Sequence, residues 1–202
     1  MEEQLSLRQR KLEKKKADIL RAAADVFIEK GFERTKLEDI AAKLLMTKGS
    51  VYYYFKDKRD LLFHSQVMLL ERGLDNMTMI LNEELGARER LRRSLIQHIE
   101  HLIEERSGFS MMIKPDQYFT KEQEQIIFRL RESYGECFSK SIEEGIREGI
   151  FQVDEPKIVR NLLFGAMNGI TQWYSADGNK SKAAFAEDVT DYLLRMLVED
   201  KG

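Results

Sequence analysis

A single cysteine, Cys137, stands in this chain of 202 residues, which excludes an internal disulfide; among helix-forming neighbours it reads as a small buried hydrophobe. Prolines number two, Pro115 and Pro156, and no stretch alternates apolar with polar residues as a strand would, so an all-α protein is expected. No apolar run approaches the ~18 residues that a membrane span needs, and Met1 to Lys16 lacks the apolar centre of a secretory signal. A cytoplasmic protein without a membrane partner is the expectation. Equally absent are a Gly-rich phosphate loop, a nucleophile elbow and a pair of catalytic carboxylates, so hydrolase, transferase and redox chemistry have no starting residue. His98 and His101 lie three apart with Glu100 between them, but they lack the His-Glu-x-x-His arrangement and a third ligand. They are read as histidines on a solvated face. The expectation is a non-enzyme with no cofactor and no metal.

Hydrophobic residues make up 43% of the chain and charged residues 34%, proportions of an ordinary globular protein. The net charge of -2 hides an asymmetry that matters for nucleic acid, whose phosphates demand Lys and Arg. Residues 1–60 carry 15 basic against 11 acidic side chains, a balance of +4, and residues 61–202 carry 18 against 24, a balance of -6. Arg8, Arg10, Lys11, Lys14, Lys15 and Lys16 form the densest positive run, placed just ahead of a first helix expected over Lys15 to Lys30. Gly31 stands where that helix wants a left-handed residue.

Thr35 with Glu38 has the spacing of a capping box and opens a short helix with apolar Leu37, Ile40, Ala41 and Leu44. Leu45-Met46-Thr47 must then turn, because Thr47 is again a good N-cap for a second short helix through Phe55. Val51 and Phe55, four apart, face inward on it. Thr47, Lys48, Gly49, Ser50, Tyr52 and Tyr53 project elsewhere, and three consecutive tyrosines cannot all face inward on a helix turning about 100° per residue. Small and polar groups at the start of a helix, with phosphate donors along its flank, are what a DNA-reading helix presents. The helix N-termini at Thr35 and Thr47 add backbone N–H groups suited to phosphate.

The run from Ile19 through Leu62, comprising ILRAAADVFIEKGF, Thr35, DIAAKL and KGSVYYYFKDKRDLL, resembles the DNA-binding domain of the TetR family of regulators. The resemblance implies that Thr35, Lys36, Thr47, Lys48, Gly49, Ser50, Tyr52, Tyr53, Tyr54 and Lys58 occupy DNA-contacting positions, Lys58 against a phosphate and Lys48, Gly49 and Tyr52 against bases. One departure stands out: where the family turn reads Ala-Gly-Val-Ser this chain has Leu44-Leu45-Met46-Thr47, so Leu45 takes the place of a glycine with positive φ. A left-handed leucine costs on the order of 1 kcal/mol; either the turn differs or burial of Leu45 compensates.

Further helices are expected over Asp57 to Leu74, Ala87 to Glu105, Phe109 to Ile113, Thr120 to Glu148, Glu155 to Tyr174 and Ser181 to Glu199. Asp154 and Pro156 mark the start of the fifth of these, and Gly149 the stop before it. The chain thus divides into a three-helix helix-turn-helix domain with a basic arm, residues 1–56, and a helical sensing and dimerisation bundle, residues 57–202. Gly165 and Gly169 form a small face that permits close helix approach, with Phe185, Val189, Tyr192 and Met196 opposite, and a homodimer matches a palindromic double-stranded operator. A packed intramolecular core is the alternative for that face. Phe109, Met112, Tyr118, Tyr134, Phe138 and Trp173 are candidate lining of an effector pocket, with plain core packing the competing reading. Asn168 to Leu194, with Gln172-Trp173-Tyr174 and Asp177-Gly178, resembles a subgroup of the family that responds to acyl-CoA thioesters. The resemblance implies a repressor released by a small apolar or acyl-CoA-type effector. A sequence-nonspecific architectural DNA protein and a ligand-binding bundle without DNA activity are the rival readings; the acidic balance speaks against the first.

Overall fold

The computed structural model describes residues 6–104 and 117–198, and among these the chain forms eight α-helices and no strand. In chain order they are α1 (Leu7–Lys30), α2 (Leu37–Lys43), α3 (Lys48–Tyr52), α4 (Lys58–Leu81), α5 (Ala87–Glu104), α6 (Lys121–Arg147), α7 (Pro156–Trp173) and α8 (Lys182–Arg195). The expected short helix over Phe109 to Ile113 lies outside the described residues.

Local capping chemistry sets most boundaries. Asp57 caps α4 by accepting from the N–H groups of Arg59 and Asp60, and Thr120 and Ser181 cap α6 and α8 in the same way. The first helix begins eight residues earlier than expected, because Ser6 and Gln9 form a reciprocal capping box. The basic run therefore lies within α1 rather than ahead of it. At α7 the cap is Glu155 rather than Asp154, with Pro156 in the first turn. Gly149 adopts φ 71° just beyond α6, the left-handed conformation that lets the Ile150 and Phe151 amides turn back to the Gly145 carbonyl. The Phe151 ring then lies where a side chain at Gly145 would be, a Cβ there falling 2.1 Å from it.

Two apolar cores result. The first gathers Ile19, Val26, Phe27, Leu37, Ile40, Val51 and Phe55, closed by Leu61, Leu62 and Phe63 of α4 and by Phe119 and Ile127. The second joins Met77 of α4 to Leu91, Leu95 and Ile99 of α5, Phe138 and Ile142 of α6, Leu163 and Met167 of α7, and Leu193 and Leu194 of α8. Helices α4 and α6 supply side chains to both cores. His98 and His101 are not solvated: α5 is covered by α4, α6, α7 and α8, and they are 2% and 4% exposed. Among the described residues no cluster of three potential metal ligands occurs, and no helix is long and apolar enough to cross a membrane.

Candidate nucleic-acid interface and ligand cavity

Helices α2 and α3 meet through a turn in which the Met46 N–H reaches the Ala41 carbonyl at 2.9 Å. Leu45 adopts φ 53° and is 97% exposed. The turn thus keeps the left-handed residue, and Leu45 gains no compensating burial, so neither alternative holds. Thr47 caps α3: its Oγ1 accepts from the Ser50 N–H at 3.2 Å and lies 2.8 Å from the Ser50 hydroxyl. Val51 and Phe55 are buried against the first core, as the four-residue spacing requires.

The outward surface of α3 and its flank is made by Lys48, Gly49, Tyr52 and Tyr53, all exposed, with Ser50 half-buried behind them. Tyr54, expected among the DNA contacts, is half-buried on the first core and stacks edge-on with Tyr53 at 5.0 Å. Lys48 pairs with Glu38 at 2.5 Å and lies 5.5 Å from the Tyr52 ring centre. That pairing raises the proton affinity of Lys48 and lowers that of Glu38. Lys36 is exposed at the start of α2.

Thr35 departs from expectation. Its side chain is 2% exposed, and its hydroxyl donates to the Gly31 carbonyl at 2.8 Å. It ties the end of α1 to the start of α2 from inside. The cap of α2 is Lys36, whose N–H donates to the Asp39 carboxylate at 2.8 Å. Lys58 has a double commitment: its ammonium donates to the carbonyls of Phe32 at 2.6 Å and Glu33 at 3.1 Å, over the Phe32 ring. One of its three donors is left for an outside anion.

A cavity of about 400 Å³ opens between four helices, bounded by Leu69, Leu70 and Gly73 of α4, His98 and Leu102 of α5, Arg131 and Tyr134 of α6, and the Arg160 to Thr171 side of α7. Gly73 lets α4 approach there, since a Cβ would stand 3.2 Å from the Tyr134 ring. The His98 Nδ1 lies 2.9 Å from the Tyr134 hydroxyl, and Asn168 borders the cavity alongside them. Burial, aided by neighbouring His101, pushes the His98 pKa down to about 3, and burial raises that of Tyr134. The ring is therefore neutral at physiological pH.

Of the expected lining residues Tyr134 borders this cavity, and fully buried Phe138 backs it, packed on the rings of His98, Tyr134 and Phe164. Tyr118 belongs instead to the first core, 4.7 Å from Phe32. Trp173 is 61% exposed beside Phe185. Phe109 and Met112 lie outside the described residues. Sequence reasoning missed Asn161, Phe164, Asn168 and Thr171, which border the cavity from one side of α7. Their spacing of three, four and three residues was the available signal.

The opposite side of α7 is apolar and uncovered. Ile158, Leu162 and Trp173 are 56%, 53% and 61% exposed, in one stripe with Gly165 and Gly169, where an added Cβ would meet nothing within 4 Å. These glycines face open space, not an intramolecular core. Tyr192 and Met196 of α8 are exposed as well, whereas Phe185 and Val189 are partly buried against the second core.

Comparison with known proteins matches residues 84–197 to the tetracyclin repressor-like C-terminal domain and residues 19–64 to the bacterial regulatory proteins of the tetR family. A curated relative, an uncharacterized HTH-type transcriptional regulator of Bacillus subtilis (YfiR), is 27% identical over 94% of this chain and 95% of its own. A transcriptional regulator of the TetR/AcrR family from Thermobifida fusca has a similar structure, with a TM-score of 0.74 and 26% identity over 90% of this chain and 97% of that one. The regulator FadR of Bacillus subtilis, solved in complex with stearoyl-CoA, superposes with a TM-score of 0.72 and 22% identity, covering 88% and 97% of the two chains.

Proposed function

The chain belongs to the TetR family of bacterial transcriptional regulators, and from that premise we propose that it is a homodimeric repressor released from a palindromic operator by a small effector bound in the cavity beneath α4. The observation that carries the DNA-reading half is the construction of α3. Val51 and Phe55 lock its inner side into the first core, and a Thr47 cap fixes its start, so that Lys48, Gly49, Tyr52 and Tyr53 stand outward on a rigid element. Lys48 and Tyr52 read bases, Gly49 admits the backbone closely, and Lys36, Ser50, Tyr53 and Lys58 hold phosphates. Lys48 must exchange Glu38 for DNA, which sharpens selectivity because a poor site does not repay the lost pair.

Residues 1–56, joined by Lys58 at the start of α4, carry this reading function, and the remainder of residues 57–202 the sensing and pairing functions. The uncovered apolar stripe of α7 with Tyr192 and Met196 of α8 supports pairing through these two helices, which would set two α3 copies about 34 Å apart, one DNA turn. The cavity supports an effector of the apolar or acyl-CoA type, in keeping with the stearoyl-CoA bound by the Bacillus subtilis FadR. Four helices meet at it, among them α4, which also closes the first core. An effector that favours one setting of α4 thereby favours one spacing of the readers.

Selection of binding sites from random duplex DNA, followed by gel-shift competition at matched salt, tests the reading. The expected outcome is a palindromic site bound at least a thousandfold more tightly than random duplex, about the lower end for specific recognition. Tyr52→Ala should weaken that site roughly tenfold. Equal affinity for selected and random DNA would point to an architectural protein, and no affinity for either to a ligand-binding bundle.

A further inference from the structure

The cavity-facing side of α7 is polar from end to end except for one ring. Arg160 and Asn161 stand at its start, Phe164 follows, and Asn168 and Thr171 close it. Arg160 donates to the Ser139 hydroxyl at 3.1 Å and to the Asn161 side-chain oxygen at 3.2 Å, both neutral acceptors. Its guanidinium lies across Gly135 of α6, where an added Cβ would stand 3.7 Å from Nη1. Arg131, one turn earlier on α6, borders the same cavity. No Asp or Glu is among the described residues that bound it. Arg160, held only by neutral acceptors among the described residues, thus brings a positive charge to one end of the cavity. The second polar station is the Tyr134 hydroxyl, 2.9 Å from the neutral His98 ring, with the Asn168 carboxamide bordering the same part of the cavity. An asparagine offers one carbonyl and two N–H groups, so Asn168 has both donors and an acceptor for a ligand there. Arg160 and Asn168 are eight residues apart on one helix, which separates the stations by about 12 Å, and Phe164 with Leu69, Leu70 and Leu102 lines the stretch between.

We propose that the effector is an amphiphilic anion with two polar points: a negative group held by Arg160, and an oxygen function about 12 Å away read by Asn168 and Tyr134, with an apolar body between. The inference rests on the reading of this cavity as the effector site and adds the ligand's chemistry to it. A positively charged ligand is disfavoured by Arg160, and a neutral alkane-like one leaves both stations without a partner. An ω-hydroxy fatty acid has this pattern, with its charge and its hydroxyl at the two ends of one apolar chain; an acyl thioester of a phosphorylated carrier also sets a charge apart from an oxygen function, but across the polar carrier, with its apolar chain beyond the carbonyl.

Calorimetric titration of the full-length protein with dodecanoate, ω-hydroxydodecanoate, dodecanoyl-CoA, dodecanol and dodecyltrimethylammonium separates these cases. The two-point anions should bind about tenfold or more tightly than dodecanol and dodecyltrimethylammonium, the factor expected for a charge-assisted hydrogen bond. Arg160→Gln should remove that preference while leaving dodecanol unchanged. Asn168→Ala should weaken ω-hydroxydodecanoate and dodecanoyl-CoA but not dodecanoate, and whichever of the first two binds more tightly identifies the source. The proposal is overturned if the cation or the alcohol binds as tightly as the anions, if none of the panel binds, or if Arg160→Gln changes nothing. The same panel added to the protein on its selected DNA keeps the two readings apart. Release by dodecyltrimethylammonium alone would uphold effector-controlled repression and sink the anion, whereas anions that bind without releasing DNA would do the reverse.

Discussion

Leu45 holds a left-handed backbone that glycine would adopt freely, and nothing around it compensates: φ is 53° and the side chain lies almost wholly in solvent. A β-carbon in that region crowds the following carbonyl, and glycine does not carry the penalty. Leu45→Gly should therefore relieve about 1 kcal/mol of strain, largely offset by the roughly 0.4–1 kcal/mol that glycine costs by loosening the unfolded chain, so the denaturant midpoint should hold or rise slightly; a clearly lower midpoint would contradict the strain. His98 makes a different prediction. Its folded pKa is about 3 against 6.5 for the free side chain, so between those values the unfolded chain holds a proton that the folded chain refuses. Stability is full above the unfolded value and falls as the pH drops below it, by up to about 1.4 kcal/mol per pH unit. The His101 pKa is lowered as well and adds in the same direction. Unfolding midpoints measured between about pH 7 and pH 5 should decline, and His98→Gln, which cannot titrate there, should flatten the decline.

At the scale of the element, α7 joins a polar side that borders the cavity to an apolar side left uncovered. Gly165→Leu offers a clean test of the outward side. Leucine favours helix over glycine by roughly 0.8 kcal/mol and meets no neighbour within 4 Å of its Cβ, so the protomer should fold at least as well as before. Close approach of a second copy would be blocked, and sedimentation should show a dimer weakened roughly tenfold or more, with operator affinity falling alongside. Most helices could be read from the sequence because their signals are local: Thr47, Asp57, Thr120 and Ser181 cap them, and Gly149 stops one. The outer and inner sides of α3 were legible for the same reason. Thr35 was misplaced because a threonine that caps and one that bonds back to the preceding turn look alike in sequence. The cavity was legible only at Tyr134 and Phe138, since Gly73, His98, Tyr134 and Asn168 converge from four helices far apart along the chain. Nor does the sequence of α5 reveal that it is covered on several sides at once, which is why its histidines read as solvated.

For the molecule as a whole, the proposed division of labour near Lys56 is not a division of packing. The first core takes Leu61, Leu62, Phe63 and Leu70 from α4, and Phe119 and Ile127 from farther on. A fragment ending at Lys56 lacks all six and should show no cooperative thermal transition by circular dichroism; a sharp transition would mean that the DNA-reading unit folds alone. The two cores share α4 and α6, so a shift of either helix is felt in both. A further consequence attaches to α7. One helix bounds the cavity and carries the outward apolar stripe; if protomers pair on that stripe and an effector fills that cavity, whatever free energy one event lends the other through α7 must be returned in equal measure. Near the dimer dissociation constant, the apparent affinity for effector should then drift with protein concentration, so that the abundance of the regulator sets the threshold at which it responds.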